Sequence, residues 1–268
     1  MKAEGGRRKI EGSVLLCFPL KEEAAPFRKV AAKKSGVSIL LTGIGRRNAE
    51  KSLREFLNSC RRRGDGSQTQ IGLWPSAIKN QSKTSHVVSY EPNLMLACGF
   101  AGGLNPDLKL GEVVFETGNA HLAPFLSPPG GDRVSVRTKE GLVENLLAAG
   151  AKPAKFFCAD RIATTAAEKK KLRDETNADA VEMESAAIHA VGRERGIPCV
   201  TVRVISDTAN EDLPLDFNQL SRPDQSLDYG RLFLAIAKSP RKIGALRKLQ
   251  KQTQFAAERL AEVLGRVL

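Results

Sequence analysis

Hydrophobic and polar positions follow two alternating patterns along the chain. Short apolar runs rich in β-branched residues are typical of buried strands, and longer stretches with apolar residues three and four positions apart are typical of amphipathic helices. The first pattern predicts strands at 13–18, 37–42, 93–98, 111–115, 155–158 and 199–205. The second predicts helices over Glu22–Lys34, Arg47–Cys60, Thr138–Ala149, Ala166–Glu175 and Glu182–Arg195. This alternation indicates an α/β fold with a central sheet, and the last helix is expected to end at Gly196.

The length of the chain sets its domain organisation. With 268 residues, 41% of them hydrophobic, the chain can form one large α/β domain with a substantial core. We expect this domain to span 13–227. Within it, 61–85 is polar and contains several Gly and Ser residues, which predicts an inserted loop. A basic extension at 1–12 precedes the domain, and basic amphipathic helices are expected over 228–268.

Positive charge is concentrated at the two ends of the chain. The net charge is +12, residues 1–10 carry four basic and one acidic residue, and residues 229–268 carry nine basic and two acidic residues. Such ends are typical of a surface that faces phosphate or an anionic membrane, and equally of a solvated helical face. We expect a peripheral contact with an anionic membrane, at its inner face, and no nucleic-acid partner.

Cysteine and histidine spacing bears on compartment and metal binding. Five cysteines show no CxxC spacing and mostly fall in apolar runs, which is typical of reduced core thiols in a cytoplasmic protein. The three histidines lack the spacing of metal ligands, so we expect no metal. No apolar run approaches the roughly 20 residues that a membrane-spanning helix needs.

Acidic residues occur where the apolar pattern predicts buried structure. Two of them lie in Val181–Ala187, and Asp207 follows the predicted strand at 199–205. Ligand sites of α/β sheets lie at the carboxyl ends of strands. Because an unpaired buried charge is costly, such a carboxylate is paired, protonated or in contact with a polar ligand.

These segments resemble the signature of the nucleoside phosphorylase and nucleosidase superfamily, most closely its methylthioadenosine/S-adenosylhomocysteine nucleosidase branch. The resemblance rests on Val-Glu-Met-Glu from position 181 and on Arg-x-Ile-Ser-Asp from position 203. Two further stretches agree with it in order and spacing, Leu15–Ala24 and Gly99–Val114, so that it covers most of 13–210. The segment 213–217 and the basic end resemble, more weakly, relatives linked to hopanoid lipid synthesis.

The resemblance implies a fold and a reaction. The fold would be a three-layer αβα domain with a mixed central sheet. The reaction would be hydrolysis of the N-glycosidic bond of an adenosine-type purine nucleoside with an apolar or bulky 5′ substituent, without a cofactor and by a homodimer. Cleavage of a hopanoid-linked nucleoside at a membrane surface, purine nucleoside phosphorolysis and a non-catalytic nucleoside-binding module remain open as alternatives.

The same resemblance implies a role for each of several residues. Asp207 would protonate nitrogen 7 of the purine, which requires a carboxyl group that holds a proton near neutral pH. Glu184 would hold the ribose hydroxyls, with Met183 against the ribose face. Glu23 would activate the attacking water, and Arg203 would position that water and Glu23. The remaining substrate contacts would be Phe100, Ala101, Gly102, Ile162, Ala163 and Ser206.

Each of these residues also has a purely structural interpretation. Asp207 could cap a following helix, Glu184 could be an exposed first-turn carboxylate, and Arg203 could form a buried ion pair. Glu22 competes with Glu23 for the water-activating position. Glu182 is left out of the site, because residues two positions apart do not share a helical face.

Two departures from the family pattern bear on chemistry and base identity. Ala97 and Phe100 stand where the phosphorylase branch has an arginine and a serine that hold phosphate, which favours hydrolysis over phosphorolysis. Ile162 stands where the nucleosidase branch stacks a phenylalanine on adenine. The resemblance therefore implies apolar packing for a purine and leaves the identity of the base open.

Overall fold

The computed structural model describes residues 13–64, 91–117, 133–220 and 243–268, which form eight strands and seven helices. The strands are β1 Val14–Phe18, β2 Val37–Leu41, β3 Leu94–Gly103, β4 Val113–Glu116, β5 Lys152–Pro153, β6 Phe156–Cys158, β7 Ala180–Glu182 and β8 Cys199–Asp207. The helices are α1 Lys21–Ala31, α2 Arg46–Gly64, α3 Arg133–Ala148, α4 Ala166–Thr176, α5 Ser185–Arg195, α6 Phe217–Leu220 and α7 Ile243–Val267.

The strands form one mixed sheet in the order β2-β1-β3-β8-β4-β5. Strands β2, β1, β3 and β8 run parallel, whereas β4 is antiparallel to β8. The short β7 pairs antiparallel with the end of β3 and carries β6. The parallel strands bring their carboxyl ends to one edge of the sheet, which is where a ligand site is expected.

Both faces of the sheet are buried, as the alternation along β1 illustrates. Leu16 and Phe18 enter a core shared with α1, α3 and α7, whereas Leu15 and Cys17 enter a second core shared with α2 and α5. Successive side chains of a strand point to opposite faces, so an unbroken apolar run requires cover on both sides. Helices therefore flank the sheet on both faces, and the expectation of an αβα fold with a mixed sheet is confirmed.

Helix α7 packs against α1 and belongs to the body of the domain. Its second half buries an apolar stripe in the core around α1, formed by Ala256, Ala257, Leu260, Ala261, Val263, Leu264 and Val267. The apolar face of the predicted basic tail is therefore covered by protein over this stretch. Across the described ranges, no helix has both the length and the apolarity to cross a membrane.

Most predicted elements are present, with informative shifts. The prediction of a helix over Glu182–Arg195 was wrong at its start, since α5 begins only at Ser185. The helix ends before Gly196 as expected, and this glycine adopts a left-handed conformation with φ 68°. Strands β5 and β7 were missed because two or three residues carry too little periodicity. The first four residues of the predicted loop at 61–85 belong to α2. The rest of that loop, the extension at 1–12 and the stretch 221–242 lie outside the described residues.

Candidate functional site

A cavity of about 260 Å³ opens at the edge of the sheet where the parallel strands end. It is lined by residues that follow β1 and β2 and by the ends of β3 and β8. The pairing of β3 with β8 changes register between Ala101 and Gly102. A bulge re-aims side chains, and both Ser206 and Asp207 line the cavity although they are consecutive in β8.

Glycines let the backbone approach the acidic groups of this wall. Gly99 has φ 137°, and a Cβ there would lie 2.7 Å from Arg203 Nη1 and 2.8 Å from Glu23 Oε2. The turn after β2 brings the Gly45 N–H within 2.8 Å of Glu184 Oε1, with Gly45 itself at φ 83°. Side chains are disfavoured at both positions, which explains the glycines in the two segments.

Glu23 lies in the first turn of α1 and is buried, whereas its neighbour Glu22 is exposed. The backbone N–H of Leu20 donates to Glu23 Oε2 at 3.1 Å, and that of Phe100 donates to Oε1 at 3.2 Å. Burial raises the pKa of Glu23 to about 8, although Arg203 acts in the opposite direction. A carboxyl group near this pH can both hold and release a proton under physiological conditions.

Arg203 lies fully buried beneath the carboxylates and does not line the cavity. Its Nη2 lies 2.5 Å from Glu182 Oε2 and 3.0 Å from Glu184 Oε2. Its Nη1 is 3.4 Å from the carbonyl oxygen of Phe100. The structural interpretation of Arg203 as a buried ion pair thus describes its direct contacts, and its effect on Glu23 is electrostatic.

Glu182 is the partner that the sequence interpretation left out, and that omission was wrong. Residues 180–182 are a strand and α5 begins at Ser185, so Glu182 and Glu184 are not on a helix and both reach the cavity. Glu182 Oε2 accepts hydrogen bonds from the backbone N–H groups of Glu184 and Ser185, at 2.9 and 2.7 Å. It therefore caps α5 as well as pairing with Arg203.

The two carboxylates of this segment differ in their proton affinity. Burial works to raise the pKa of Glu182, but Arg203 and the hydrogen bonds from Ser185 outweigh it and hold the pKa below its usual range. Burial raises the pKa of Glu184 and prevails there over Arg203. One guanidinium is thus shared by Glu182, Glu184 and, at longer range, Glu23, and it does not balance all three.

Asp207 forms a separate pair on the other side of the cavity. Its Oδ1 accepts a hydrogen bond from the Ser206 hydroxyl at 2.7 Å, and its Oδ2 lies 2.5 Å from Nζ of Lys169. A turn and no helix follows Asp207, so the capping alternative for this residue was wrong. Lys169 is fully buried against Asp207, so pairing is the one of the three possibilities for a buried carboxylate here that the structure shows.

Most of the remaining wall is apolar, and the cation in the described lining is Arg161, which is exposed and paired with Glu168. Phe100, Ala101, Ile162, Ala163 and Met183 line the cavity next to the carboxylates, and Gly102 brings the backbone close to Asp207. The structure thus brings the predicted site residues together around one cavity, with Arg203 directly behind it. A further apolar group, which sequence reasoning missed, comprises Leu20, Ile44, Leu213, Phe217 and Leu249.

Lys169 and Leu249 were missed for different reasons. Lys169 lies in the run Lys169-Lys170-Lys171, a pattern that is typical of a solvated face, and its spacing of three from Leu172 was the one available signal. Leu249 lies in α7, more than forty residues beyond Asp207, and it comes near the cavity through the packing of α7 on α1 and on the strands β8 and β3.

The arrangement suits proton transfer. It offers carboxylates on two sides of a small cavity, one of them with a pKa of about 8, next to apolar surface. Within the part of the chain that the structure describes, no group of three or more His, Cys, Asp or Glu side chains has the geometry of a metal site.

The fold and this acidic cavity define the class of protein. The chain belongs to the phosphorylase superfamily, whose family model matches residues 18–237. Among individual relatives, it is 32% identical over 139 residues to an aminodeoxyfutalosine nucleosidase of Campylobacter jejuni; that match covers 47% of this chain and 60% of the relative. It is 28% identical over 212 residues to a 5′-methylthioadenosine/S-adenosylhomocysteine nucleosidase of Shewanella baltica, which covers 70% of this chain and 82% of the relative.

Solved structures show the same fold at lower identity. The 5′-methylthioadenosine/S-adenosylhomocysteine nucleosidase of C. jejuni superposes with a TM-score of 0.56 at 17% identity, over 96% of this chain and 98% of that one. A futalosine hydrolase mutant of Helicobacter pylori superposes with a TM-score of 0.52 at 16% identity, over 94% and 98%. These likenesses establish the fold, while the chain spans only about 60% of the first relative's length.

Proposed function

We propose that this protein hydrolyses the N-glycosidic bond of an adenosine-type purine nucleoside with an apolar or bulky 5′ substituent and releases the free base. Such a reaction requires a proton for the leaving base, stabilisation of positive charge in the sugar, and an activated water on the opposite face of the ring. The relatives named as nucleosidases support the reaction class. The cavity offers a carboxylate for each requirement.

Protonation of the leaving base is assigned to Asp207. This carboxyl group donates a proton to nitrogen 7 of the purine as the C–N bond breaks, and the bond's electron pair passes to the base. Ile162, Ala163 and Phe100 provide apolar surface for the purine, and Ser206 fixes the orientation of Asp207 through their 2.7 Å hydrogen bond.

The sugar and the water are assigned to the other side of the cavity. Glu184 accepts hydrogen bonds from the ribose hydroxyls, and its negative charge stabilises the positive charge that develops in the ring. Met183 packs on the ribose. Glu23 takes a proton from the attacking water, for which a pKa of about 8 is well suited. Arg203 holds Glu182 and Glu184 in place through its ion pairs.

Hydrolysis is preferred to phosphorolysis because of the charge of the wall. Four carboxylates line the cavity, those of Glu23, Glu182, Glu184 and Asp207. The cations nearest to them within the described residues, Arg203 and Lys169, are already in ion pairs. An incoming phosphate would meet an excess of carboxylates, and the one cation in the described lining, Arg161, is already paired with Glu168, whereas a neutral water meets neither obstacle. This charge balance is the observation that carries the proposal.

Product analysis tests the proposal directly. The protein is incubated with 5′-methylthioadenosine and with adenosine, with and without phosphate, and the base and sugar products are separated. We expect free adenine and a free sugar at rates that do not depend on phosphate. A sugar 1-phosphate as main product, formed faster as phosphate rises, would establish phosphorolysis instead; binding without any turnover would establish a non-catalytic module.

A second candidate substrate is a nucleoside whose 5′ substituent is a hopanoid-type lipid. The apolar group at the cavity includes Leu249 of α7, and the same helix presents the exposed basic residues Arg247 and Lys251 close by in sequence. Basic groups near an anionic bilayer contribute about 1 kcal/mol each. This arrangement favours delivery of a lipid-linked nucleoside from a membrane surface.

Flotation with liposomes tests the membrane contact. We expect binding to vesicles that contain phosphatidylglycerol at low salt, and weaker binding when Arg247 and Lys251 are changed to Gln. Neutral phosphatidylcholine vesicles are the control. Equal flotation of the wild type and the variant, or no flotation of either, would leave small nucleosides such as 5′-methylthioadenosine as the proposed substrates. The homodimer rests on the resemblance alone, and sedimentation equilibrium measures it.

A further inference from the structure

The buried lysine Lys169 has no role in the reaction as assigned so far. It lies in α4. Its neighbours Lys170 and Lys171 are exposed and pair with Asp174 and Glu175 of the same helix. Lys169 is the one residue of α4 that is buried. A fully buried lysine is rare unless it is paired, so its position points to the group it contacts.

All three N–H bonds of the Lys169 ammonium group are directed at acceptors. Nζ lies 2.5 Å from Asp207 Oδ2, and it donates to the carbonyl oxygens of Thr208 and Glu211, each at 2.8 Å. The two carbonyls belong to the turn that follows β8. Lys169 therefore ties Asp207 to its own following turn and leaves the carboxylate little freedom to rotate.

We propose that Lys169 is a positioning residue for the general acid: it orients Asp207 towards the purine and resupplies the proton that Asp207 passes to the leaving base. This inference rests on the proposed function. As the C–N bond breaks, its electrons pass to the base, the ammonium of Lys169 gives a proton to the Asp207 carboxylate, and Asp207 passes a proton to the base. Lys169 is then neutral until it regains a proton from solvent after the product leaves.

The surroundings of Lys169 fit this role. The charged groups that face it are Asp207 from β8 and Glu211 from the following turn, and the Glu211 carboxylate is itself held by Lys248 at 2.6 Å and by Gln252 of α7. Asp207 thus remains the acidic partner in direct contact with the ammonium.

Lys169→Met tests the inference, with Lys170→Met as the matched control from the exposed face of the same helix. For an adenosine-type nucleoside, we expect Lys169→Met to lower kcat by about 10- to 100-fold with less than threefold change in KM. For 4-nitrophenyl ribofuranoside, whose nitrophenolate leaves without protonation, we expect less than threefold change. Lys170→Met should match the wild type with both substrates.

The double variant Lys169→Met/Asp207→Asn shows whether Lys169 acts through Asp207. It removes both members of the pair, so we expect it to melt above Lys169→Met, and Lys169→Met should cause no further loss of kcat in the Asp207→Asn background. A similar loss with both substrates, or a further loss in that background, would make Lys169 a merely structural residue. Wild-type activity in Lys169→Met would also overturn the inference, and a wild-type protein that cleaves no nucleoside would overturn the proposed function and the inference with it.

Discussion

The two sides of the cavity use the same kind of side chain in opposite charge balance. On the water side, Glu23, Glu182 and Glu184 surround the single guanidinium of Arg203. On the base side, the single carboxylate of Asp207 faces the single ammonium of Lys169. The first group has more carboxylates than its cation balances, and the second is neutral overall. Environments that differ in this way let one reaction use carboxyl groups as both base and acid.

The surplus of negative charge explains why Glu23 is distinct from its neighbours. Arg203 pairs directly with Glu182 and Glu184, and Glu23 receives only two backbone N–H groups and a more distant attraction. Its burial therefore prevails and raises its pKa to about 8. The comparison predicts that changes on the base side act on leaving-group protonation and that changes on the water side act on nucleophile activation.

The largest effect is expected from Asp207→Asn. An amide keeps the size of the side chain but cannot donate an acidic proton, so kcat for an adenosine-type nucleoside should fall by about 10²- to 10⁴-fold. Ligand binding, measured by calorimetry with a non-hydrolysable analogue, should change little. A loss of kcat below threefold would contradict the assignment of Asp207 as the general acid.

Glu23→Gln is expected to cost slightly less, about 10²-fold in kcat, because a bound water retains some reactivity without a base. Glu22→Gln is the matched control, since Glu22 is exposed one residue away and should keep full activity. Steady-state kinetics of both variants measure the difference. Equal losses in the two variants, or a larger loss in Glu22→Gln, would contradict the assignment of water activation to Glu23.

Stability provides a second readout for Glu23→Gln. A carboxyl group whose pKa is about 8 in the folded state and about 4.5 when unfolded stabilises the fold fully below pH 4.5. That stabilisation is lost as pH rises through 8. Urea unfolding should therefore show that Glu23→Gln becomes more stable relative to the wild type between pH 5 and pH 9, and no such trend is expected for Glu22→Gln.

The pH dependence expected of the wild-type protein follows from the same group. If Glu23 is the base, kcat/KM should decrease about tenfold for each pH unit below 8, because only the ionised carboxylate of the free enzyme accepts a proton from water. Initial rates between pH 5 and pH 9 measure this limb. A profile that is flat down to pH 5 would contradict the assignment of Glu23.

A smaller effect is expected from Gly99→Ala, which disturbs the water side without removing a charge. The φ of 137° is unfavourable for alanine, and the new Cβ would crowd Arg203 and Glu23. We expect a loss of about 1–3 kcal/mol in the free energy of unfolding and about tenfold in kcat.

Gly150→Ala is the matched control for Gly99→Ala. Gly150 has a φ of 86° and no atom within 4 Å of the added Cβ, so alanine there introduces backbone strain without a new side-chain contact. It should lose stability and keep kcat. An equal loss of activity in both variants would attribute the effect of Gly99→Ala to strain and not to the contact with Arg203 and Glu23.

Much of the fold and of the cavity wall is predictable from the sequence. The largely apolar runs at 13–18 and 199–205 correctly indicated central strands, because strands covered on both faces show no alternation. The family resemblance then selected Glu23, Glu184 and Asp207, and the structure brings all three to one cavity. Their catalytic roles stay predictions until the variants are measured.

The charge partners were not predictable, because they depend on packing between distant elements. Glu182 was judged on the wrong local geometry, since a helix was expected where Ala180–Glu182 forms a strand. Lys169 resembled its exposed neighbours in sequence, and only the approach of α4 to the end of β8 buries it. Residue type and periodicity indicate where a charge lies along an element but not which charge it meets.

The central claim, that Asp207 serves the leaving base and Glu23 serves the water, is tested most directly by one comparison of substrates. Asp207→Asn and Glu23→Gln are assayed with an adenosine-type nucleoside and with 4-nitrophenyl ribofuranoside, which needs no protonation of its leaving group. We expect the nitrophenyl substrate to restore Asp207→Asn to within about tenfold of the wild type and to leave Glu23→Gln about 10²-fold impaired. Restoration of both variants, or of neither, would contradict the division of the cavity into a side that serves the leaving base and a side that serves the water.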